Sequence, residues 1–310
     1  MRLRVTRLFA IALLPFALVA AAGQGPGARA QAPEDFRRTD ASEFVSADTC
    51  KSCHEAQSKS YDHGPHWKTE QDRRGVSWQG CEACHGPGKV HVDSPGNKGK
   101  ILRFRELTAE QASRICLDCH ETAEDGTAFA RSQHQSTGVG CTACHSEHKP
   151  QTRQRQLTAK EPELCYDCHL ESRLEFSKPF HDPVNEGMLQ CSDCHNSHGG
   201  FLSKLLRTTA AQDQVCFKCH AEKSGPFVFE HAPLKTEGCG SCHAPIHGSS
   251  NPRLLSRANI NLGCLECHTA TLSSAAGAPP GFHNQAQKYQ ACTMCHTQIH
   301  GSNVDRNFFR

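Results

Sequence analysis

The feature that most constrains this 310-residue chain is a five-residue pattern, CxxCH, which occurs ten times and uses all twenty cysteines. The motifs are Cys50, Cys53 and His54; Cys81, Cys84 and His85; Cys116, Cys119 and His120; Cys141, Cys144 and His145; Cys165, Cys168 and His169; Cys191, Cys194 and His195; Cys216, Cys219 and His220; Cys239, Cys242 and His243; Cys264, Cys267 and His268; and Cys292, Cys295 and His296. In a c-type haem site two thiols bond covalently to the porphyrin and the adjacent His supplies one axial ligand, so ten c-type haems are expected. A disulfide framework has no need of a His after every second Cys. CxxC knuckles with His ligands do bind zinc, but ten repeats of the full motif argue for haem.

Successive motifs begin 31, 35, 25, 24, 26, 25, 23, 25 and 28 residues apart, which leaves room for only a short helix and a loop between haems. The repeat alternates. After the even-numbered motifs a second His follows closely, at His91, His148, His198, His247 and His300. After the odd-numbered motifs the next candidate is more distant, at His66, His134, His181, His231 and His283. The chain therefore reads as five two-haem modules, each with two motifs and two further histidines.

The sixth ligand decides whether a haem carries electrons or binds substrate. Of the three methionines, Met1 opens the chain, Met294 lies inside a motif, and only Met188 is left as a candidate. Eleven histidines lie outside the motifs, so bis-His ligation of every haem is the economical count, with one His spare. Tyr61, Phe129 and Phe176 each precede a candidate ligand by five residues, which favours His66 over His63 in the first module.

Reach suggests which His serves which haem. Axial ligands approach an iron from opposite faces, with Cα atoms on the order of 12 Å apart, whereas three residues span at most ~10 Å. His148 and His198, three positions after a proximal His, must serve another haem, most simply the odd one of their own module. His181 and His231 then serve the even haem that follows each of them. On this reasoning His247 is expected on the Cys216 haem and His231 on the Cys239 haem, making each module a cross-ligated pair.

Thr108 with Gln111, Thr158 with Glu161, and Thr209 with Gln212 have capping-box spacing ahead of odd motifs, and predict a short helix running into each. The even motifs run instead into Gly and Pro breakers. With 37% hydrophobic and 6% aromatic residues, a conventional core of this size would be thin, so the porphyrins must supply most of the apolar interior. The expected fold is an elongated multihaem cytochrome c of mostly short α-helices and irregular loops wrapped around ten covalently bound haems, with little or no β-sheet.

Residues 1–30, with Arg2, Arg4 and Arg7 ahead of an apolar run and a small-residue site at Ala28 to Ala30, read as a secretory signal peptide. Residues 31–48 read as a flexible leader. Removing the four arginines of the first 30 residues turns the formal +2 into −2, and two propionates per haem add about twenty negative charges. No nucleic-acid partner is expected.

CEACHGP at Cys81 to Pro87, CHAEKSGP from Cys219 with EHAP at Glu230 to Pro233, CHAPIHGS from Cys242 and CHTQIHGSN from Cys295 resemble the periplasmic decahaem cytochromes of outer-membrane electron conduits, the MtrA and DmsE family. The resemblance covers about Cys50 to Asn303. It implies two pentahaem halves, here 49–178 and 179–310, forming one continuous haem wire. It also implies an outer-membrane β-barrel porin as partner, a periplasmic or inner-membrane cytochrome as donor, an outer-surface cytochrome or reductase as acceptor, and a periplasmic protein associated with the outer membrane.

The leading functional reading is a non-catalytic electron carrier along a chain of bis-His haems. A multihaem reductase of nitrogen or sulfur oxyanions is the alternative from another class, and it would need a haem with an open or displaceable sixth position. Its usual sign is a departure from uniform CxxCH, and none occurs. A soluble periplasmic electron shuttle keeps the chemistry without the membrane conduit.

Overall fold

The computed structural model describes residues 36–94, 97–200, 202–207, 214–268 and 292–309. The expected signal peptide over 1–30, the cap at Thr209 and Gln212, and His283 lie outside these residues.

Each described motif is one helical turn. In nine of them the backbone N–H of the His donates to the carbonyl of the first Cys at 2.9 to 3.0 Å, and the tenth closes the helix Ala109–His120. A turn brings positions i, i+3 and i+4 to one face, so both thiols and the imidazole are presented together. Beyond this turn the two kinds of motif diverge. His54, His169 and His220 lead into Glu55–His63, Leu170–Glu175 and the 3-10 turn Ala221–Lys223. His145 and His195 instead leave in extended conformation. Single β-bridges join His145 to Leu157, His195 to Leu206 and His243 to Leu255. The only two strands among the described residues, Phe180–His181 and Gly248–Ser249, pair antiparallel with Phe180 opposite Ser249.

Ala109–His120 is the longest helix described, and its expected capping box is formed. Gln111 N–H donates to the Thr108 hydroxyl while the Gln111 side chain accepts from Thr108 N–H. The box expected at Thr158 and Glu161 does not form. Thr158 N–H donates to the Cys144 carbonyl, Pro162 occupies the N-cap of Glu163–Tyr166, and the Glu161 carboxylate accepts from Ser192 N–H at 2.8 Å. Glu161 thus joins the fifth motif to the sixth instead of capping its own helix.

That junction recurs. Ser113 Oγ accepts from Cys141 N–H at 3.2 Å, and Asn261 Oδ1 accepts from Cys292 N–H at 2.9 Å. In the first module Ala47 abuts Gly80, where a Cβ would come within 2.9 Å of the alanine methyl. A residue shortly before each of these odd motifs therefore docks on the start of the next even one. This contact brings the first cysteines together: the Cys50 and Cys81 thiols share a hydrogen bond, which pushes the pKa of Cys50 up and pulls that of Cys81 down to about 7. Cys116 with Cys141, and Cys165 with Cys191, repeat the arrangement.

The stretch expected as a flexible leader is held in place from residue 36 onward. Phe36 is buried against Gly86. Arg37 donates to the Ser77 and Ala83 carbonyls and to Asp118, with its guanidinium 3.8 Å from the Trp78 ring centroid. Val45 N–H donates to the buried Glu82 carboxylate, which also accepts from Gly88 N–H at 2.7 Å. Cation–π stacking and buried charge-assisted hydrogen bonds make this segment part of the first module.

Side-chain packing is sparse. Among the described residues nine hydrophobic residues are buried, including Tyr61, Phe129 and Phe176, and the one cluster these form is Tyr166, Phe176 and Val184. The interior is instead a continuous cavity of about 4430 Å³ that runs past cysteines of all ten motifs. Ordinary ligand pockets are roughly 300 to 1,000 Å³, so this space is several of them joined. No described helix is long and apolar enough to cross a membrane.

Candidate haem cavity and its histidine pairs

An iron bridging two imidazoles at ~2 Å from each nitrogen, with each ring centre ~1 Å further out, sets the ring centroids ~6 Å apart. Eight histidine pairs across the cavity have this separation, although their members lie 35 to 63 residues apart in sequence. On the even motifs the pairs are His85 with His148 at 6.0 Å, His145 with His198 at 5.9 Å, His195 with His247 at 6.0 Å and His243 with His300 at 6.3 Å. On the odd motifs they are His54 with His91 at 6.3 Å, His120 with His66 at 6.0 Å, His169 with His134 at 6.2 Å and His268 with His231 at 6.2 Å. These residues fit a series of bis-His haems.

This is not the pairing that reach suggested. His54 with His91 is the one same-module pair among the eight. Elsewhere the close-following His of one module stands opposite the even proximal His of the preceding module, and the more distant His stands opposite the odd proximal His of the following module. His247 thus faces His195 and not His220, while His231 faces His268 and not His243. The first three modules are held internally by their docked first cysteines, and the modules are joined to each other by crossed histidines. Reach rules out a partner three residues away, but cannot choose between neighbouring irons once both are within range.

His66 rather than His63 faces a proximal His; His63 is exposed and donates from Nδ1 to the Lys59 carbonyl. Met188 is exposed, away from the cavity. His181 donates from Nδ1 to the Lys178 carbonyl, and its Nε2 lies 3.0 Å from Glu186, so no proximal ring stacks opposite it. His220 has Glu222 at 3.9 Å from its Nδ1. His296 stacks on Phe309 with centroids 4.9 Å apart.

The outer nitrogens separate the motifs again. All five even proximal histidines donate from Nδ1 to a backbone carbonyl: His85 to Leu102, His145 to Arg155, His195 to Lys204, His243 to Arg253 and His296 to Asn307, at 2.6 to 2.8 Å. Three of these carbonyls belong to left-handed pairs of non-glycine residues, Arg155–Gln156, Lys204–Leu205 and Arg253–Leu254, with φ between 49 and 64°. Such a conformation costs of order 1 kcal/mol or more per residue, and here it coincides with a carbonyl aimed at a ligand ring. Sequence reading missed this device. Its signal is a basic residue nine or ten positions after the even proximal His, followed by x-Leu, as at Arg155, Lys204 and Arg253.

The distal rings have more varied partners. His91 and His134 donate to the Asn97 and Ser197 carbonyls. Carboxylates stand at the Nδ1 of three others: Glu147 2.5 Å from His66, Asp125 3.4 Å from His198 and Glu175 2.9 Å from His247. The Glu147 carboxylate raises the His66 pKa, whereas burial pushes His85, His148 and His195 down. Burial likewise pushes the Cys84 thiol up to about 12.

A family model described as a doubled CXXCH motif matches residues 134–174, 181–225 and 231–272, and one described as cytochrome c554 and c-prime matches 93–146. Each doubled-motif match begins on a distal candidate, His134, His181 or His231, and runs past an even and then an odd motif. In that frame His134 and His169, and His231 and His268, belong to one unit. The multiheme cytochrome MtrA of Shewanella baltica is 33% identical over 83% of this chain and 78% of its own length. The cytochrome c-type protein NrfB of Escherichia coli is 28% identical over 42% of this chain and 77% of its own. The C-type polyheme cytochrome OmcC of Geobacter sulfurreducens is 24% identical over 59% of this chain and 26% of its own.

Proposed function

The chain belongs to the MtrA family of multihaem cytochromes, and on that premise we propose that it carries ten c-type haems, all bis-His ligated, and conducts electrons along them. Covalent haem binding and electron transfer are common to the family; the count and the ligand assignments are this reading's own. The observation that carries it is the set of eight histidine pairs at 5.9 to 6.3 Å along one cavity. The two motifs without a described partner follow from the register. His181 is assigned to the His220 haem, as His134 is to His169 and His231 to His268, and His283 goes by elimination to the His296 haem. Bound haem supplies one-electron Fe(III)/Fe(II) chemistry, and two imidazoles leave the iron no open position for a substrate.

What the polypeptide contributes is spacing and rigidity. Docked first cysteines would hold two porphyrins together within the first three modules, and crossed histidines would tie each module to the next. The boundary at 178 to 179 between two pentahaem halves is spanned in the same way, with His198 reaching back to His145 and His247 bonded to Glu175. The halves are therefore proposed as one continuous wire. Following the family, the partner proposed is an outer-membrane β-barrel porin, with a cytochrome donor on the periplasmic side, an acceptor at the outer surface, and a periplasmic location for this chain.

The test is spectroscopic. The oxidised holoprotein should contain ten haems per chain by pyridine haemochrome assay, with an entirely low-spin spectrum. A substantial high-spin population would overturn bis-His ligation and favour a reductase. Co-purification with a β-barrel protein from outer membranes tests the conduit, and recovery solely as a free protein would favour a shuttle.

A further inference from the structure

Resting on the ligand assignments above, we propose that Glu175 is a positioning residue that holds the distal imidazole His247 through a hydrogen bond, and that Glu175, Glu147 and Asp125, by their charge beside His247, His66 and His198, lower the reduction potentials of the haems attached at Cys191, Cys116 and Cys141. A histidine ligand whose outer nitrogen donates to a carboxylate is oriented by it and made more basic, which favours the oxidised metal. The carboxylate's own charge acts in the same direction, most strongly for Glu175, the least exposed of the three.

The arrangement is repeated. Asp125 lies five residues after His120 on the helix Glu124–Phe129, and Glu175 lies six after His169 on Leu170–Glu175. In each case the helix leaving an odd motif carries a carboxylate to the distal His of the next even haem. In the first repeat the helix leaving the odd motif offers His148 a backbone carbonyl, that of Gln57, three residues after His54. In the fourth repeat the corresponding turn offers Lys223, three residues after His220; the Lys223 charge adds to the burial that pushes His300 down, while Glu222 opposes it. Of the even haems at Cys81, Cys141, Cys191 and Cys239, the middle two thereby have a carboxylate beside the Nδ1 of the distal His. Glu147 serves an odd haem from a crowded position, since it lies between His145 and His148, each of which belongs to a different pair, and its own carbonyl accepts from Ser60 Oγ at 3.1 Å. Glu175 and His247 make the best-formed contact of the three, a 2.9 Å hydrogen bond between segments 72 residues apart.

The experiment is a potentiometric titration of the holoprotein, followed in the haem bands, for Glu175→Gln, Glu175→Asp and the control Glu171→Gln one turn earlier on the same helix. Glu175→Gln should move one haem component towards reduction by about tenfold in its equilibrium, about 59 mV for a one-electron couple. The spectrum should stay low-spin, and one low-spin electron paramagnetic resonance signal should change its g-values. Glu175→Asp should return most of the shift, and Glu171→Gln should leave the titration unchanged. The proposal is overturned if Glu175→Gln titrates like the wild type, if Glu171→Gln gives the same shift, or if Glu175→Gln turns a haem high-spin, which would make Glu175 a strut for His247 with no tuning role. A high-spin population already in the wild type would overturn the ligand assignments themselves, and this proposal with them.

Discussion

Odd and even motifs share one local chemistry and differ in how the chain leaves them. Among the described residues an odd motif runs on into a helix or 3-10 turn, and in the first, second and fourth modules a distant His then stands opposite the next module's odd proximal His. An even motif returns to cap its own proximal His with a backbone carbonyl, and the fourth and sixth motifs exit extended on the way. The difference teaches that the five-residue motif specifies attachment, while its exit specifies both the second coordination sphere and the direction in which the module reaches. Even motifs carry a rigid proximal ligand and send a distal ligand backward. Odd motifs, with their helical exits, send one forward. Together the two make a chain in which each interior module is gripped from both sides.

The largest expected effect breaks this crossed pattern directly. His247→Ala should turn about one-tenth of the haem high-spin. In a background without the sixth attachment site, Cys191→Ala with Cys194→Ala, the same substitution should add no high-spin signal. In a background without the seventh, Cys216→Ala with Cys219→Ala, it still should. The reverse result would restore the same-module pairing.

A smaller effect sharpens the contrast between exits. Leu205 has φ 55° in the loop behind His195, and a β-branched side chain there is a steric outlier. Leu205→Val should lower holoprotein stability by about 1 to 2 kcal/mol, read as a drop in Tm. Leu170→Val, in the helical exit of an odd motif, should cost only a few tenths of a kcal/mol.

The smallest effect concerns the first module, which is clamped by the segment from Phe36 to Val45. Burial raises the Glu82 pKa in the folded protein. A group raised on folding contributes stability that is complete below its unfolded pKa and is lost as pH rises through the folded one. Cleavage after Arg38 by a trypsin-like protease should therefore become easier as pH rises from about 4.5. Glu82→Gln should flatten that dependence, and an unchanged pH profile would assign the clamp to Arg37 and Trp78 alone.

Much of this was legible in the sequence because it is local. Two thiols and an imidazole at i, i+3 and i+4 meet on one turn whatever surrounds them, and Thr108 and Gln111 cap a helix within four residues. The choice of His66 over His63 came from an aromatic five residues earlier, and Tyr61 is indeed buried. The Thr158 box failed because Pro162 competed for the cap and Glu161 found a donor in the next motif. The leader from Phe36 was misread because its anchors, Ser77, Glu82 and Asp118, lie about 40 to 80 residues away.

The sequence by itself determined the attachment chemistry, the supply of one further histidine per motif, the shortage of apolar side chains and hence a core that haem must fill. Only the tertiary structure decided which histidine faces which. Linkers of this length leave several irons within reach, so the choice falls to how consecutive motifs dock through their first cysteines and to which helix or loop carries the next ligand away. The carboxylates at His66, His198 and His247 were equally invisible, because nothing in their local sequence distinguishes them from a solvated acidic face until the chain has folded around the cavity.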